Sequence, residues 1–295
     1  MTGIDRGLIV SLLEEQAPHL AGLSVVWVKD GWDNTVWRLG DALAVRLTRR
    51  AVAADLHRHE QRWLPTLGPR LPLPVPEPVI VGVPSVRFPW PWTVVRWFEG
   101  DIAALAPPHP REARTLGAFL SALHVPAPED VMANPTRGGP LTSRQAAMAT
   151  WAEQPLSSGD EMLIAEAAAV FNAGLLVASV TERVWIHGDL HPRNVLVNGG
   201  QLSAVLDWGD VTAGDAATDL AALWWLFHLD VHGDFWAAYH PVSPAMWHRA
   251  RAWAALFGLS FLSFGLPHHP RTPDTQAHEL GRRQLHRVVA EQQPP

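Results

Sequence analysis

Residues 185–197, WIHGDLHPRNVLV, place several polar and ionisable side chains between two apolar runs. The stretch contains His187, Asp189, His191 and Asn194. A carboxylate can accept a proton from a reacting group, and an amide oxygen can bind a hard cation. A loop that holds catalytic groups at the mouth of a cleft would have this composition, whereas a polar turn that joins two strands is the simpler alternative.

The residues that follow predict a β-hairpin. Residues 194–207, NVLVNGGQLSAVLD, form two apolar arms around Gly199 and Gly200, which is a strong hairpin signal. Folding at these glycines brings Asn194 close to Asp207 at the open end of the hairpin. An amide oxygen and a carboxylate suit Mg²⁺, which prefers a few oxygen ligands together with water and phosphate. Two polar residues that merely end their strands are the alternative.

The spacing of the upstream residues favours the magnesium site. His187, Asp189 and Asn194 follow the pattern H-x-D-x-x-x-x-N, which is the arrangement of the kinase catalytic loop. In that loop the Asp accepts the proton of the acceptor hydroxyl, and the Asn holds metal. Asp207 opens the run Asp-Trp-Gly, where the metal-binding Asp-Phe-Gly of kinases occurs. Phosphoryl transfer needs a base of this kind with two metal ligands close by.

The run HGDLHPRNVLV, continued by LDWGDVTAGDAATDLA, resembles the signature of the aminoglycoside phosphotransferase family. This family is the small-molecule branch of the protein-kinase-like fold. The resemblance implies an α+β, bilobal fold in which a small antiparallel β-sheet lobe precedes a larger, mainly helical lobe. It also implies a transferase that uses ATP or GTP with Mg²⁺. The acceptor would be a hydroxyl group of a small molecule, such as an aminoglycoside, a macrolide or a metabolite.

The resemblance also implies roles for individual residues. Asp189 is expected to be the catalytic base, and Asn194 and Asp207 are expected to bind Mg²⁺. His187 and Asp219 are expected to support the catalytic loop. Asp219 has an equally good interpretation as the N-cap of its helix.

The first lobe is expected to bind the nucleotide. In GWDNTVW only Gly31 remains of the usual glycine-rich loop, so Asn34 and Thr35 are expected to offer side chains and backbone N–H groups to phosphate. The run LAVRL places Arg46 on the third strand, where kinases carry a lysine. Arginine keeps its charge and can pair with phosphates in a fork. Lys29, the one lysine of the chain, is the alternative.

Two further nucleotide contacts are predicted. Glu60, on the helix after the third strand, is the expected partner of Arg46, although it could also be a solvated glutamate. The run VVRWFEG resembles the kinase hinge, where the main chain of Arg96 and Phe98 would meet the edge of the nucleobase.

Hydrophobic periodicity predicts the elements that position these residues. A helix at 4–20 precedes three strands at 24–28, 35–39 and 42–47, and a second helix spans 52–64. The proline-rich residues 65–92 predict edge strands and turns, and 93–98 is a buried strand. Helices follow at 112–124, 143–151, 159–180, 219–229, 243–264 with a break, and 279–291. We therefore expect a nucleotide-binding lobe at 1–96, and a helical lobe with the catalytic loop and acceptor site at 97–295.

Composition limits the partners of the chain. The 295 residues carry a net charge of −6 and no cysteine, which argues against nucleic-acid binding and excludes disulfides and thiolate metal sites. We find no apolar run long enough to span a bilayer and no signal peptide, so no membrane partner and a cytoplasmic location are expected. The expected partners are a nucleoside triphosphate and a small hydroxylated acceptor. The oligomeric state and a role in antibiotic resistance or metabolism stay open.

The acceptor is less well defined by the sequence. Cationic aminoglycosides would need acidic clusters, but the helical lobe has only scattered acidic candidates. These are Asp160, Glu161, Asp230 and Asp234. The helical lobe is also rich in tryptophan, with Trp224, Trp225, Trp236, Trp247 and Trp253. Most of these side chains are expected in the core, while a minority could line an apolar acceptor pocket.

Two other functions compete for the same residues. His187, Asp189, His191 and Asp207 could bind zinc as a hydrolase site, which leaves Asn194 and the Arg46 strand unexplained. A nucleotide-binding pseudokinase is the second alternative, and the presence of a base and both metal ligands argues against it. A protein kinase is less favoured because no Ala-Pro-Glu segment follows Asp207.

Overall fold

The computed structural model describes residues 3–131, 134–153, 159–178, 183–239, 242–264 and 273–294. The chain divides into two compact units. One comprises Met1–Glu99 with Ser203–Asp210, and the other comprises Gly100–Leu202 with Val211–Pro295. The first unit therefore extends slightly beyond residue 96 and also contains the later segment that carries Asp207.

The first unit contains a five-stranded antiparallel sheet and two helices. Its sheet has the strand order β1-β2-β3-β5-β4. The elements are α1 (Arg6–Gln16), β1 (Val25–Asp30), β2 (Asn34–Leu39), β3 (Leu43–Thr48), α2 (Ala53–Leu67), β4 (Pro78–Gly82) and β5 (Trp92–Arg96). Helix α1 begins at a cap in which the Asp5 carboxylate accepts the Leu8 N–H at 2.8 Å. Its apolar face packs on the sheet to form the core of this unit.

The proline-rich segment forms an edge strand, as predicted. Strand β4 begins at Pro78 and lies at the edge of the sheet beside β5, where a missing N–H is tolerated. Gly82, the last residue of β4, packs closely on β5, because a Cβ atom there would fall 2.0 Å from the indole ring of Trp92. The segment is thus part of the sheet and not a solvated linker.

The second unit is mainly helical and carries two small sheets. Strand β10 pairs with β7, and the other sheet has the order β6-β8-β9. The elements are β6 (Asp101–Ile102), α3 (Glu112–Leu123), α4 (Gln145–Ala152), α5 (Glu161–Leu175), β7 (Val184–Ile186), β8 (Val195–Asn198), β9 (Gln201–Val205), β10 (Thr212–Gly214), α6 (Ala217–Leu220), α7 (Ala222–Leu226), α8 (His232–Ala238), α9 (Pro244–Ser263) and α10 (Thr275–Ala290). Strand β9 runs from this unit into the first one. The predicted α+β class, with an antiparallel sheet followed by a mainly helical region, is confirmed.

The hairpin between β8 and β9 turns at Gly199 and Gly200, as predicted. Their φ angles are +56° and +80°, and a tight hairpin turn with two such residues favours glycine at both positions. Strand β8 follows directly from the loop at 187–194, and β7 leads into that loop. The two small sheets therefore hold both ends of the loop.

The helical core differs from the prediction in two places. Helix α9 is continuous, so the predicted break within 243–264 is wrong. Helices α9 and α10 cross closely where Gly258 of α9 meets Gly281 of α10. A Cβ atom on Gly281 would lie 2.5 Å from the Gly258 carbonyl oxygen. The predicted helix at 219–229 is instead two short helices, α6 and α7, with a separate turn of helix at 229–231. The end of the helix predicted at 159–180 lies outside the described residues.

The tryptophans of the second unit belong to its core. Trp224, Trp225, Trp236, Trp247 and Trp253 are all buried, in agreement with the interpretation of most of them as core residues. No helix among the residues listed above is long and apolar enough to cross a bilayer.

Candidate active site

The loop that carries Asp189 is held by the carboxylate of Asp219. Asp219 accepts the His187 N–H at 2.6 Å with Oδ2 and the Gly188 N–H at 2.8 Å with Oδ1. Asp219 lies within α6, whose N-cap position is Ala216, so its carboxylate serves the loop and not the helix start. Its Oδ2 also lies 3.4 Å from Nε2 of His124.

His187 is fully buried at 0% exposure. Its Nδ1 accepts the backbone N–H of Asp189 at 3.2 Å. The imidazole therefore fixes the main chain just before the carboxylate that could react. This contact gives His187 a positioning role, the role of a residue that supports the catalytic loop.

The Asp189 carboxylate lies between two basic side chains. Its Oδ1 is 2.6 Å from Nη2 of Arg137, and its Oδ2 is 3.5 Å from Nε2 of His191. Burial by itself would raise the pKa of Asp189, but Arg137 and the neighbouring histidines outweigh burial and hold that pKa well below its usual value. The carboxylate is therefore ionised at neutral pH and can accept a hydrogen bond from a hydroxyl.

Sequence reasoning missed Arg137. The residue lies in the irregular segment 134–140, where Gly138 packs against β10: a Cβ atom on Gly138 would lie 2.7 Å from the Ala213 carbonyl oxygen. Because β10 pairs with β7, this segment is brought beside the loop that β7 enters. The run NPTRGG contains turn residues but no motif that predicts this approach.

Asn194 presents an oxygen that could bind a metal ion. Its Nδ2 donates to the Asp189 carbonyl at 2.9 Å, and its backbone N–H donates to the His191 carbonyl at 2.8 Å. The amide nitrogen is thus fixed as a donor to the loop, which leaves Oδ1 as the acceptor. Asn194 immediately precedes β8.

Asp207, in the first unit, has an unusual backbone conformation. Its φ of +61° is the one positive value found for a non-glycine residue in the described part of the chain. Aspartate tolerates this left-handed region better than most residues, and such conformations concentrate at functional sites. The adjacent Trp208 is fully buried and donates its indole N–H to the Val205 carbonyl at 3.0 Å. The turn is therefore anchored, while the Asp207 side chain is 56% exposed.

A buried ion pair joins β3 to α2 in the same unit. Arg46 donates to both carboxylate oxygens of Glu60, with Nη2 and Oε2 3.1 Å apart. Nη2 of Arg46 also lies 3.7 Å from Oδ1 of Asp207. Burial alone would lower the pKa of Arg46, but the two carboxylates outweigh it and raise that pKa. The structure thus brings together Arg46, Glu60 and Asp207, whereas Lys29 is exposed on the edge strand β1.

His57 completes the polar interior next to this pair. Its Nδ1 lies 3.1 Å from both the Thr48 hydroxyl and Oδ1 of Asn34. Burial, together with the charge of Arg46, lowers the pKa of His57 from 6.5 to about 3. The imidazole is therefore neutral at neutral pH and adds no second charge beside Arg46.

The side chains of Asn34 and Thr35 are engaged within the sheet. Asn34 contacts His57, and the buried Thr35 hydroxyl accepts the Trp37 indole N–H at 3.1 Å. The structure does not bring these side chains out as a phosphate-binding group. A phosphate contact in this turn would fall to main-chain N–H groups between β1 and β2.

The segment after β5 has a main-chain pattern that suits a nucleobase. The Trp97 N–H donates to the Ala42 carbonyl at 2.8 Å. Because main-chain groups alternate between the two sides of a strand, those of Arg96, the last residue of β5, face away from β3. The predicted contact of Arg96 and Phe98 with a nucleobase stays a prediction.

The donor atoms at these positions fit Mg²⁺ better than zinc. An Asn amide oxygen and an Asp carboxylate are hard oxygen ligands. Within the residues described, no group of three or more His, Cys, Asp or Glu side chains is placed to hold a metal ion. The zinc-hydrolase alternative built on His187, Asp189, His191 and Asp207 therefore gains no support.

Comparisons with known proteins agree with this arrangement. The model of the APH family, described as the phosphotransferase enzyme family, matches residues 25–253. No curated protein matches the chain at a significant level.

Among solved structures, the GDP and kanamycin complex of APH(2")-IIia is similar, with a TM-score of 0.71 and 20% identity over 96% of this chain and 98% of that one. The apoenzyme of macrolide 2'-phosphotransferase MphH from Brachybacterium faecium has a TM-score of 0.60 and 19% identity over 95% and 97% of the two chains. The streptomycin-ATP ternary complex of APH(2")-IIa has a TM-score of 0.58 and 15% identity over 90% and 92%. At such identities the structural likeness shows the fold.

The family match covers the β2–β3 region, the Asp189 loop, the Asp207 turn and Asp219, which are the parts that carry the candidate site. The resemblance found in the sequence is thereby confirmed. The chain belongs to the APH phosphotransferase enzyme family.

Proposed function

We propose that the protein transfers the γ-phosphate of ATP or GTP to a hydroxyl group of a small molecule, with Mg²⁺ as cofactor. The observation that carries the proposal is the loop at 187–194, where an ionised Asp189 carboxylate and the Asn194 amide share one fixed main chain. The GDP and ATP complexes of similar proteins support a nucleotide as the phosphate donor. A cytoplasmic location stays a prediction.

Asp189 is the proposed base. The acceptor hydroxyl donates a hydrogen bond to its carboxylate, and the hydroxyl oxygen forms a bond to the γ-phosphorus. The bond between that phosphorus and the β–γ bridging oxygen breaks, the proton passes to Asp189, and the nucleoside diphosphate leaves. Catalysis of phosphoryl transfer depends mainly on positioning and electrostatics. A carboxylate of low pKa that orients the hydroxyl is therefore sufficient.

Asn194 and Asp207 are the proposed ligands of Mg²⁺. When bound, the cation neutralises charge that develops on the phosphates. Arg46, fixed by Glu60, is the proposed cation that pairs with the nucleotide phosphates in place of the usual lysine. Arg96 and Phe98 are proposed to meet the nucleobase through their main chain.

The proposal is tested with Asp189→Asn in the full-length protein. The variant is expected to bind nucleotide nearly as well as wild type, because asparagine has the same shape. Its kcat is expected to fall by about 10²-fold or more, the usual scale for a positioned base. Transfer to a panel of hydroxylated compounds is followed by ³¹P NMR with MgATP or MgGTP, and nucleotide affinity is followed by calorimetry.

Asp230→Asn is the matched control, because it makes the same change at an exposed residue of the second unit. Turnover of Asp189→Asn at the wild-type rate would refute the assignment of the base. Absence of magnesium-dependent transfer to any acceptor of the panel would count against the proposed function as a whole.

A further inference from the structure

The second unit surrounds its candidate base with positive charge. Arg137 is built into its position beside Asp189. The Arg137 N–H donates to Oδ1 of Asn134 at 3.2 Å, and its carbonyl accepts the Thr218 hydroxyl at 3.3 Å. Its guanidinium lies 5.4 Å from the ring centre of Phe257. This cation therefore has a fixed main chain and an aromatic support.

A second arginine follows in the same segment. Arg144 is half-buried, and its Nε is buried without a hydrogen-bond partner in the described part of the protein. Burial lowers the pKa of Arg144, and the charge of Arg137 lowers it further. The charged group that influences the pKa of Arg144 is thus another cation. Burying a cation, even partly, without an opposite charge costs free energy. Arg144 is therefore suited to bind a ligand that carries a negative charge.

Three acidic residues of the second unit are engaged with arginines. Asp160 is buried and pairs with Arg282 at 2.9 Å, and Asp274 binds Arg193 through two hydrogen bonds of 2.6 and 2.8 Å. Asp234 lies 3.6 Å from Arg114. A polycation would therefore meet the guanidinium of Arg137 beside the base, while these three carboxylates are already paired.

We propose that the acceptor carries an anionic group, a carboxylate or a phosphate, which Arg137 and Arg144 bind. The anion takes over the guanidinium of Arg137, and the Asp189 oxygen that Arg137 held becomes available to the hydroxyl of the same molecule. This inference rests on the proposed phosphotransferase function and names the class of its acceptor. It also excludes polycationic acceptors, since both arginines repel them.

The test uses matched short compounds that share a terminal hydroxyl group. They are ω-hydroxy acids, their amides, the corresponding amino alcohols and the monophosphates of the corresponding diols. Binding is measured by the shift in Tm of the full-length protein with Mg²⁺ and a non-hydrolysable nucleotide. Phosphorylation is measured as kcat and KM with the natural nucleotides. The hydroxy acids and the diol monophosphates distinguish a carboxylate from a phosphate as the recognised group.

The variants are Arg144→Gln and Arg144→Glu, with Arg283→Gln as the control. Arg283 is an exposed arginine of α10, so its variant makes the same change of charge away from the loop. Arg144→Gln is expected to raise KM for the anionic acceptor by roughly ten- to a hundredfold with little change in kcat, as for the loss of a charged hydrogen bond. Arg144→Glu is expected to favour the amino alcohols.

The wild-type comparison does not depend on how well a variant folds. A Tm shift and lower KM for the anionic compounds, relative to the amides and amino alcohols, support the inference. Equal or better binding of the amino alcohols, or no binding of any anionic compound, would overturn it. Anion binding that depends on Arg144 without any phosphoryl transfer would instead count against the proposed function and leave the anion site standing.

Discussion

Arg46 and Lys29 are the two candidates for the cation that pairs with the nucleotide phosphates. Arg46 is buried and fixed by Glu60, and Lys29 is exposed on an edge strand. Arg46→Gln removes the charge but keeps a hydrogen-bond donor for Glu60. We expect it to weaken nucleotide binding by roughly tenfold or more, because a hydrogen bond to a charged group contributes about 1.5–3 kcal/mol. Calorimetry with Lys29→Gln is the comparison, and a larger loss for Lys29→Gln would reassign the role.

His57 predicts an acid-sensitive stability of the first unit. Its pKa is about 3 in the folded protein against an ordinary value of 6.5, so between these values the unfolded chain binds a proton that the folded chain does not. The free energy of unfolding should therefore fall as the pH is lowered through this range, by up to about 1.4 kcal/mol per pH unit from this group.

Denaturant unfolding of wild type and His57→Gln at several pH values measures this effect. The variant is expected to have a shallower dependence on pH, because the titrating group is absent from both states. His19→Gln, at an exposed position of the same unit, is the control. An unchanged slope in His57→Gln would show that other groups cause the acid sensitivity.

The spacing of residues in the sequence predicted the polar loop itself, but it did not predict the residues that contact the loop. The fixed intervals among His187, Asp189 and Asn194 were readable because one short loop carries all three. Arg137 was not predictable, because its approach depends on how the segment at 134–140 packs on β10. The two interpretations of Asp219 were separable only once its hydrogen bonds to the loop were known.

The β8–β9 hairpin is the element on which the magnesium prediction depends. Asn194 immediately precedes β8, and Asp207 follows the end of β9. We expect poor metal affinity without nucleotide and a sharp rise once the triphosphate is present, because two protein ligands leave most coordination sites to water and phosphate. Asp207→Ala should lower the affinity for Mg²⁺ in the presence of the triphosphate more than Asn194→Ala does, because it removes a full negative charge from beside the cation.

Calorimetry of nucleotide binding with and without Mg²⁺, on wild type and both variants, measures these effects. Asn194→Ala and Asp207→Ala serve as mutual controls, because each removes one proposed ligand. Tight zinc binding in the absence of nucleotide would contradict the prediction and restore the hydrolase alternative.

The crossing of α9 and α10 gives a prediction about stability. A Cβ atom on Gly281 would lie 2.5 Å from both the Gly258 oxygen and the Leu262 nitrogen, which are backbone atoms. Gly281→Ala should therefore lower the free energy of unfolding by about 1–3 kcal/mol, the usual cost of overpacking. Gly233→Ala, in α8, is the matched control because nothing lies within 4 Å of its added Cβ. Equal stability of the two variants would contradict the close crossing.

Element prediction succeeded where a local pattern was sufficient. The hairpin turn at Gly199 and Gly200 and the proline-containing edge strand both have local causes, and both were predicted. The break expected within 243–264 was wrong, and the sequence does not show that α10 approaches α9 closely at Gly258. The same limit applies to α6 and α7, whose short lengths depend on the packing around them.

At the scale of the whole molecule, the order of strands and helices was enough to predict the α+β class. The nature of the acceptor was not predictable in this way, because it depends on which charges the fold leaves unpaired. Two of the acidic candidates of the helical region, Asp160 and Asp234, instead pair with arginines distant in the chain. The composition therefore suggests little about the ligand that the folded protein attracts.

Lys29 has a practical consequence for experiments on the intact protein. It is the only lysine in a chain without cysteine, and it is exposed on β1 of the sheet that carries Arg46. An amine-reactive fluorophore would therefore label one side chain, in addition to the α-amino group, without any engineering. The dye would sit in the same sheet as the proposed phosphate-pairing cation. Its emission could then follow nucleotide binding in real time, for wild type and for the variants described above that keep Lys29.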